Sequence, residues 1–377
     1  MFIRFPFQVS RLALVAGLCT ASLTAQETIK LGEFASLTGK EATYGQTAHQ
    51  GTLLAIEEAN AAGGVLSRQL QLLTEDDQSK PGESATVVKK LIARDKAVII
   101  LGEITSGRTL EAAPICQAAK IPLISPGATN VTVTTKGNYI FRVCFIDDFQ
   151  GTVMAKFSRE TLQLKRVAIL SSVSSAQSVG LAKYFREGFT ARGGVIAAEP
   201  KYGEGDKDFR AQLTAIKAAG VDGIYVPGYY AEAALICKQA RDLGLTVPLF
   251  GVDGWESPEL ISIAGPAVEG CYFSTHYSPE NVAPQVVAFN QRYQSRWGKL
   301  PDAQAALGYD SAMLAVDAIR RAGTTDGPKL RDTLAATKDY PAVTGSITFD
   351  ALRNPTKSAV VLTIRNGRFA FVQAVQP

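Results

Sequence analysis

The residues best suited to chemistry lie between Ile121 and Asn130, where an apolar run gives way to small and polar side chains. Ile121, Leu123 and Ile124 read as a short buried strand. Ser125, Thr129 and Asn130 crowd just past its carboxyl end, which is where open α/β sheets bind ligands. Gly127 and Ala128 carry almost no side chain, so a ligand can approach the backbone, and the Thr129 hydroxyl can donate to an oxyanion. The turn Gly102 to Gly107 follows another strand and enters a helix, adding Ser106 and helix-start N–H groups to a site fit for a carboxylate. Later, strands ending at Val226 and Gly251 deliver Tyr229 and Tyr230, then Asp253 and Trp255. Taken singly, each of these residues is as well explained by a turn, a cap or plain packing. Jointly they set an acid against a cluster of hydroxyls and N–H groups. That is what a zwitterion requires, because an unpaired buried charge costs several kcal/mol.

The elements that must hold these turns alternate short apolar runs with amphipathic ones, at roughly thirty residues per βα unit. The pattern predicts an α/β fold with parallel sheets covered by helices on both faces. Strands are expected at Ile29–Ala35, Gln69–Thr74, Ala97–Leu101 and Tyr139–Phe145, with helices over 46–62, 81–94 and beyond Ser106. After the polar turn Asp147 to Gly151 the pattern restarts, with strands at Val167–Leu170, Gly223–Val226 and Pro248–Gly251 and helices over 179–192, 209–219 and 231–243. Cys271–Tyr277 reads as a returning strand, followed by helices over 283–297 and 304–322. Gly345–Phe349, Ala359–Ile364 and Phe369–Val372 read as period-2 strands, the last two joined by an Asn366-Gly367 turn. Two lobes follow, 26–147 with 278–344 and 148–277 with 345–377. Crossings are expected near Ile146–Phe149, Thr275–Pro279 and Ala342–Ser346.

Composition narrows the function classes. The 377 residues are 46% hydrophobic, with 33 Gly and 17 Pro, as expected for two globular domains. Residues 1–25 differ from the rest: Arg4 and Arg11 without an acid, an apolar run from Leu12 to Leu18, then small residues to Ala25. This is the pattern of a secretory signal, too short to span a bilayer, and cleavage is expected after Ala25. Cys19 follows Leu18 rather than a small residue, which argues against a lipid anchor there. Removing the two arginines takes the formal charge from +4 to +2, a balance that points to no nucleic acid and no anionic membrane surface. The four remaining cysteines, Cys116, Cys144, Cys237 and Cys271, are spread without metal-ligand spacing. With two histidines only, no metal and no cofactor is expected. An oxidising compartment makes Cys116–Cys144 the better candidate bridge. Nor is an enzyme expected, for there is no Gly-x-Ser-x-Gly elbow and no dinucleotide glycine motif.

From Ile29 onward the chain resembles the periplasmic substrate-binding proteins of ABC importers, nearest to the leucine/isoleucine/valine-binding group with its type I fold. The resemblance rests on Leu37-Thr38-Gly39 with Tyr44-Gly45, Ala61-Ala62-Gly63-Gly64-Val65, the Ile124 to Asn130 stretch, Gly228-Tyr229-Tyr230, and Gly251-Val252-Asp253-Gly254 in that order. It implies two Rossmann-like lobes joined by a three-segment hinge, a monomer in the periplasm, and an ABC permease as partner. It also implies roles: Ser106, Gly127 and Thr129 on the ligand carboxylate, Tyr44 against its side chain, Tyr229 as the first tyrosine of the second lobe's Gly-Tyr turn, and Asp253 on its ammonium group. Gln177 stands where relatives usually have a tyrosine, and Asp77, Gln78 and Thr105 occupy the neighbourhood of the cysteine pair known in the branched-chain binders. The expected ligand is a small amino acid. Tyr44, Phe149, Tyr229 and Trp255 would line an aliphatic or aromatic side chain, no spare charge being evident, and Gln177 would leave room for an amide. A sensor of the same fold for a small amide or organic acid, serving a signalling partner, is the alternative.

Overall fold

The computed structural model describes residues 1–3 and 27–376. The expected export signal, with Cys19 and Ala25, lies outside the described residues apart from its first three.

The first sheet is wholly parallel, in the order β2-β1-β3-β4-β5, from β1 (Ile29–Ala35), β2 (Leu70–Asp76), β3 (Ile99–Leu101), β4 (Leu123–Ser125) and β5 (Ile140–Arg142). Its crossover helices are α1 (Ala42–Ala61), α2 (Glu83–Ala93) and α3 (Ser106–Ala119). The second lobe holds α4 (Asp147–Lys156), β6 (Arg166–Ile169), β7 (Ser171–Ser172), α5 (Ala176–Ala191), β8 (Val195–Ala198), β9 (Lys201–Tyr202) and α6 (Arg210–Ala218). It continues through β10 (Gly223–Tyr225), α7 (Tyr230–Asp242), β11 (Leu249–Gly251), α8 (Pro258–Ala264) and β12 (Tyr272–Thr275). Helices α9 (Pro284–Trp297), α10 (Ala303–Ala322) and α11 (Gly327–Ala335) return to the first lobe before the hairpin β13 (Ala359–Arg365) and β14 (Arg368–Val375). The second sheet runs β14-β13-β12-β11-β10-β6-β8, parallel except for the hairpin, and β7 pairs with β9 apart from it.

Each parallel sheet therefore reverses its winding once, between β1 and β3 and between β6 and β10. The strand ends beside these switch points are where ligands settle. Apolar side chains on both faces of every central strand explain why these segments read as continuous hydrophobic runs rather than alternating ones. Helices α1 and α10 cover one face of the first sheet at very short range. A Cβ on Gly51 would sit 1.9 Å from the Ala305 carbonyl oxygen, and one on Gly308 2.2 Å from that of Ala48.

Several expectations are corrected. Helix α1 begins at Ala42 rather than Gln46, which carries Tyr44 into its first turn. The expected turn at 147–151 is the start of α4, and the helix expected over 179–192 already begins at Ala176 as α5, capped by Ser175 accepting from Ser178 N. Gly345–Phe349 is no strand: it makes single bridges, Tyr340 to Ile347 and Phe349 to Pro355, and Phe349 packs on Phe141. Arg353 donates to the carbonyls of Ile140 and Thr134, and Lys357 to that of Val143, so residues 345–357 run along the first lobe until β13 begins. Strand β8 and helices α8 and α11 are short and went unread. The hairpin turn is as expected, Asn366 and Gly367 having φ of 51° and 65°. Cys116 and Cys144 do not pair, because they lie in separate apolar clusters; both thiols are free and buried, and burial pushes that of Cys144 up to about 12.

Two outcomes follow from this packing. Gly51→Ala should lower the unfolding free energy by about 1–3 kcal/mol through overpacking, read as an earlier urea midpoint at unchanged slope. Denatured, unreduced protein should alkylate at both Cys116 and Cys144, and a mass shift equivalent to one bridge between them would contradict the separation.

Candidate functional site

The carboxyl ends of the two sheets face each other across a closed cleft. On the first lobe, α3 starts at Ser106, whose buried hydroxyl accepts from Asn130 N at 3.1 Å, tying the two turns together. Ser125 closes the second turn by accepting from Ala128 N at 3.0 Å, and the Ala128 carbonyl accepts from Arg142 at 2.6 Å. Gly127 sits against Ile104, with 3.1 Å left for a Cβ. Thr129 is fully buried, its carbonyl accepting from Asp147 N at 3.0 Å.

On the second lobe, Asp253 begins a short 3-10 turn after β11 and is 5% exposed. Three groups donate to it: Gln150 Nε2 at 3.0 Å and Gln177 Nε2 at 2.9 Å, both to Oδ1, and the His276 ring Nε2, 3.1 Å from Oδ2. Burial pushes the His276 pKa down against the opposing pull of Asp253, so the ring is neutral at pH 7 and Nε2 carries the proton. Its plane stacks on Phe145 at 3.7 Å between centroids. Gln177 also donates to Thr129 Oγ1 at 3.2 Å, so a single amide spans the cleft between hydroxyl and acid.

Around this axis the lobes are held by direct contacts. The Tyr44 hydroxyl donates to the Gly254 carbonyl and accepts from Tyr230 N at 3.3 Å, while its ring meets Tyr229 and Tyr230 edge-on at 5.9 and 5.0 Å. Tyr230 donates to the Lys40 carbonyl at 2.7 Å, and Asn130 to that of Ala176 at 2.7 Å. Ala303 N donates to Glu256 at 3.0 Å. Behind the first turn, Arg108 bonds Glu41 at 2.9 Å and Thr105 at 3.0 Å, and Glu103, pushed up to about 7 by burial and by Asp77, accepts from Ser36 N and Thr105 N. This network fixes the base of α3.

The structure thus brings together Tyr44, Ser106, Gly127, Ala128, Thr129, Gln177, Tyr229 and Asp253. It separates two others. Phe149 lies one step around α4 from Gln150, packing on Phe145 and lining a cavity of about 200 Å³ with Pro355 and Lys357. Trp255 is buried inside the second lobe, donating to the Val226 carbonyl at 2.9 Å, in space left open by Gly251. Gln150 and His276 went unrecognised. Asp147, placed three residues before Gln150 on the same helix face, is a spare carboxylate where none was expected.

A sequence model described as periplasmic binding protein matches residues 28–368. The chain is 31% identical over 356 residues to Leu/Ile/Val-binding protein homolog 2 of Brucella abortus, covering 93% of this chain and 95% of the relative. It is 31% identical to the leucine-, isoleucine-, valine-, threonine- and alanine-binding protein of Pseudomonas aeruginosa, with 89% of each chain covered. Among solved structures it resembles a leucine-binding protein LivK of Thermotoga maritima at 37% identity and TM-score 0.90, covering 93% of this chain and 99% of that one. The branched-chain amino acid transporter substrate-binding protein LivJ of Streptococcus pneumoniae, in complex with isoleucine, is 36% identical with TM-score 0.89, over 93% and 100% of the two chains.

Tyr44→Phe removes the hydroxyl that joins Gly254 and Tyr230 across the cleft while keeping the ring packing. The variant should show a larger radius of gyration by solution scattering than the unaltered protein, at about 1 kcal/mol or less in stability. An unchanged radius would deny the hydroxyl its part in closure.

Proposed function

The chain belongs to the periplasmic binding protein family, and from that premise we propose that it captures a small amino acid between its lobes and delivers it to an ABC permease. Branched-chain side chains fit the reading best, with other aliphatic or aromatic ones next. The observation that carries it is the polarity of the cleft: the hydroxyls of Ser106 and Thr129 with the N–H groups at the start of α3 on one wall, and the buried Asp253 on the other. The first wall suits a carboxylate and the second an ammonium group. The Gln177 amide lies along the same line, donating to both Thr129 and Asp253. An incoming ammonium group replaces those donations with charge-assisted ones.

The two edge-on tyrosines, Tyr44 and Tyr229, offer an apolar wall for the ligand side chain. Capture works by hinge closure. We take the three crossings to be at 146–147, 276–279 and 357–359, the last displaced from the expected Ala342–Ser346 because residues 345–357 bond to the first lobe. Residues 1–25 would direct export to the periplasm, and the mature chain would act there as a monomer without cofactor or catalysis.

Calorimetry against a panel of amino acids, their deaminated acids and small amides tests the reading. A branched-chain amino acid should bind best, and Asp253→Ala should weaken it at least about tenfold, from a lost charge-assisted hydrogen bond of roughly 1.5–3 kcal/mol. An acid or amide lacking the ammonium group that binds better than every amino acid would overturn it.

A further inference from the structure

The turn that carries Asp253 also leans on the first lobe. The Gly254 carbonyl accepts from the Tyr44 hydroxyl, Glu256 Oε1 accepts from Ala303 N at 3.0 Å, and the Ser257 and Thr43 hydroxyls lie 3.0 Å apart. Glu256 is 3% exposed, and its other oxygen bonds the Thr275 hydroxyl at the end of β12. Its own N–H donates to the Asp253 carbonyl at 3.0 Å, which closes the turn. Ala303 is the first residue of α10. The Asp302 side chain caps that helix at Ala305 N, 2.8 Å away, and leaves Ala303 N to the other lobe. The first N–H groups of a helix have no partner within it, and a buried one must find a partner elsewhere. In the closed cleft Glu256 supplies it; in an open one both groups would turn to water.

We propose that Glu256 is a positioning residue for capture: by completing the start of α10 across the cleft, it seats the Asp253 turn on the first lobe in the closed state. The inference rests on the amino-acid reading above for what is captured, and goes beyond it by assigning a residue that sets closure without touching the ligand. The Glu256 carboxyl bonds Ala303 and Thr275 and neither Thr129 nor Gln177, so it acts through the turn that holds Asp253. Helices α1 and α10 form one block, packed too closely at Gly51 and Gly308 to admit a Cβ, and residues 254–257 dock against the starts of both. Burial, and Asp302 beside it, push the Glu256 carboxyl up to about 8, so at pH 7 it is a neutral acid. Glutamine therefore keeps its shape, its acceptor and its charge. The contact enters only the balance between open and closed forms, and apparent affinity scales with the fraction of protein that can close. Its loss weakens every ligand by one factor and leaves their order unchanged.

The test compares the full mature chain with its Glu256→Ala, Glu256→Gln and Ala303→Pro variants. Proline is favoured at the first helical position, and the extended backbone of Asp302 suits the residue before it, so Ala303→Pro removes the N–H and keeps α10. Solution scattering without ligand should give a larger radius of gyration for Glu256→Ala and for Ala303→Pro than for the unaltered protein and Glu256→Gln. Combining the first two should add nothing, because each removes the same bond. Calorimetry with L-leucine, L-isoleucine and L-valine should show Glu256→Ala and Ala303→Pro binding up to about tenfold more weakly, by the same factor for all three, with Glu256→Gln within about twofold of the unaltered protein. Equal radii for all four proteins overturn the inference whether or not a ligand is found. So does an affinity that falls for one amino acid and not for the others, which would make Glu256 a ligand contact. If no amino acid in a full panel binds the unaltered protein, the amino-acid reading fails, and the radii still decide whether Glu256 seats the turn.

Discussion

Asp253 must have its buried oxygens satisfied, and the rest of the molecule can be understood from that need. A carboxylate at 5% exposure is tolerable only with donors on its oxygens, and it receives them from three elements: Gln150 on α4, Gln177 on α5 and His276 after β12. Two of these belong to hinge-proximal segments, and Gln177 reaches on to Thr129 in the other lobe. The acid that would hold the ligand is thus also the point to which the crossings are tied. On the proposed reading, closure and recognition share the same atoms, and a ligand that competes for them would act on the hinge directly.

The doubled topology makes this meeting possible. Each lobe winds outward from one reversal of strand order and presents its short strands' carboxyl ends to the other. The turns after β3 and β4 hold hydroxyls, while the turns after β10 and β11 hold aromatics and an acid. Helix α10 locks against α1 through Gly51 and Gly308, so Tyr44 projects from a rigid first turn toward Gly254. On the proposed reading, motion falls to three short crossings and recognition to rigid elements.

Much of this was legible because the turns carry local signals: glycine, small hydroxyl residues and an abrupt end to an apolar run mark Ser106, Thr129, Tyr229 and Asp253. Gln150 was missed because Asp147-Asp148 reads as a polar turn, whereas the two acids occupy the first turn of α4, where the helix dipole favours them. That shift in assignment moves Phe149 away from the cleft and Gln150 into it. His276 carries no local signal, since its role depends on Asp253, 23 positions away in sequence, and on stacking against Phe145. Trp255 looked like a lining residue because it follows the acid, yet the missing side chain of Gly251 draws it inward. Gly345–Phe349 shows the limit from the other side: alternation predicted a strand there, but the segment runs along the first lobe, where Arg353 and Lys357 just beyond it donate to first-lobe carbonyls.

The central claim is that the cleft reads a zwitterion with its carboxylate toward the first lobe and its ammonium toward the second. A crystal structure with the tightest-binding amino acid tests it most directly. The account predicts the ligand carboxylate within hydrogen-bond reach of Ser106 and Thr129 and the ligand nitrogen within reach of Asp253, with the Gln177 amide moved off the line between them. A ligand lying in the reverse sense, or a carboxylate ligand with no nitrogen near Asp253, would contradict it.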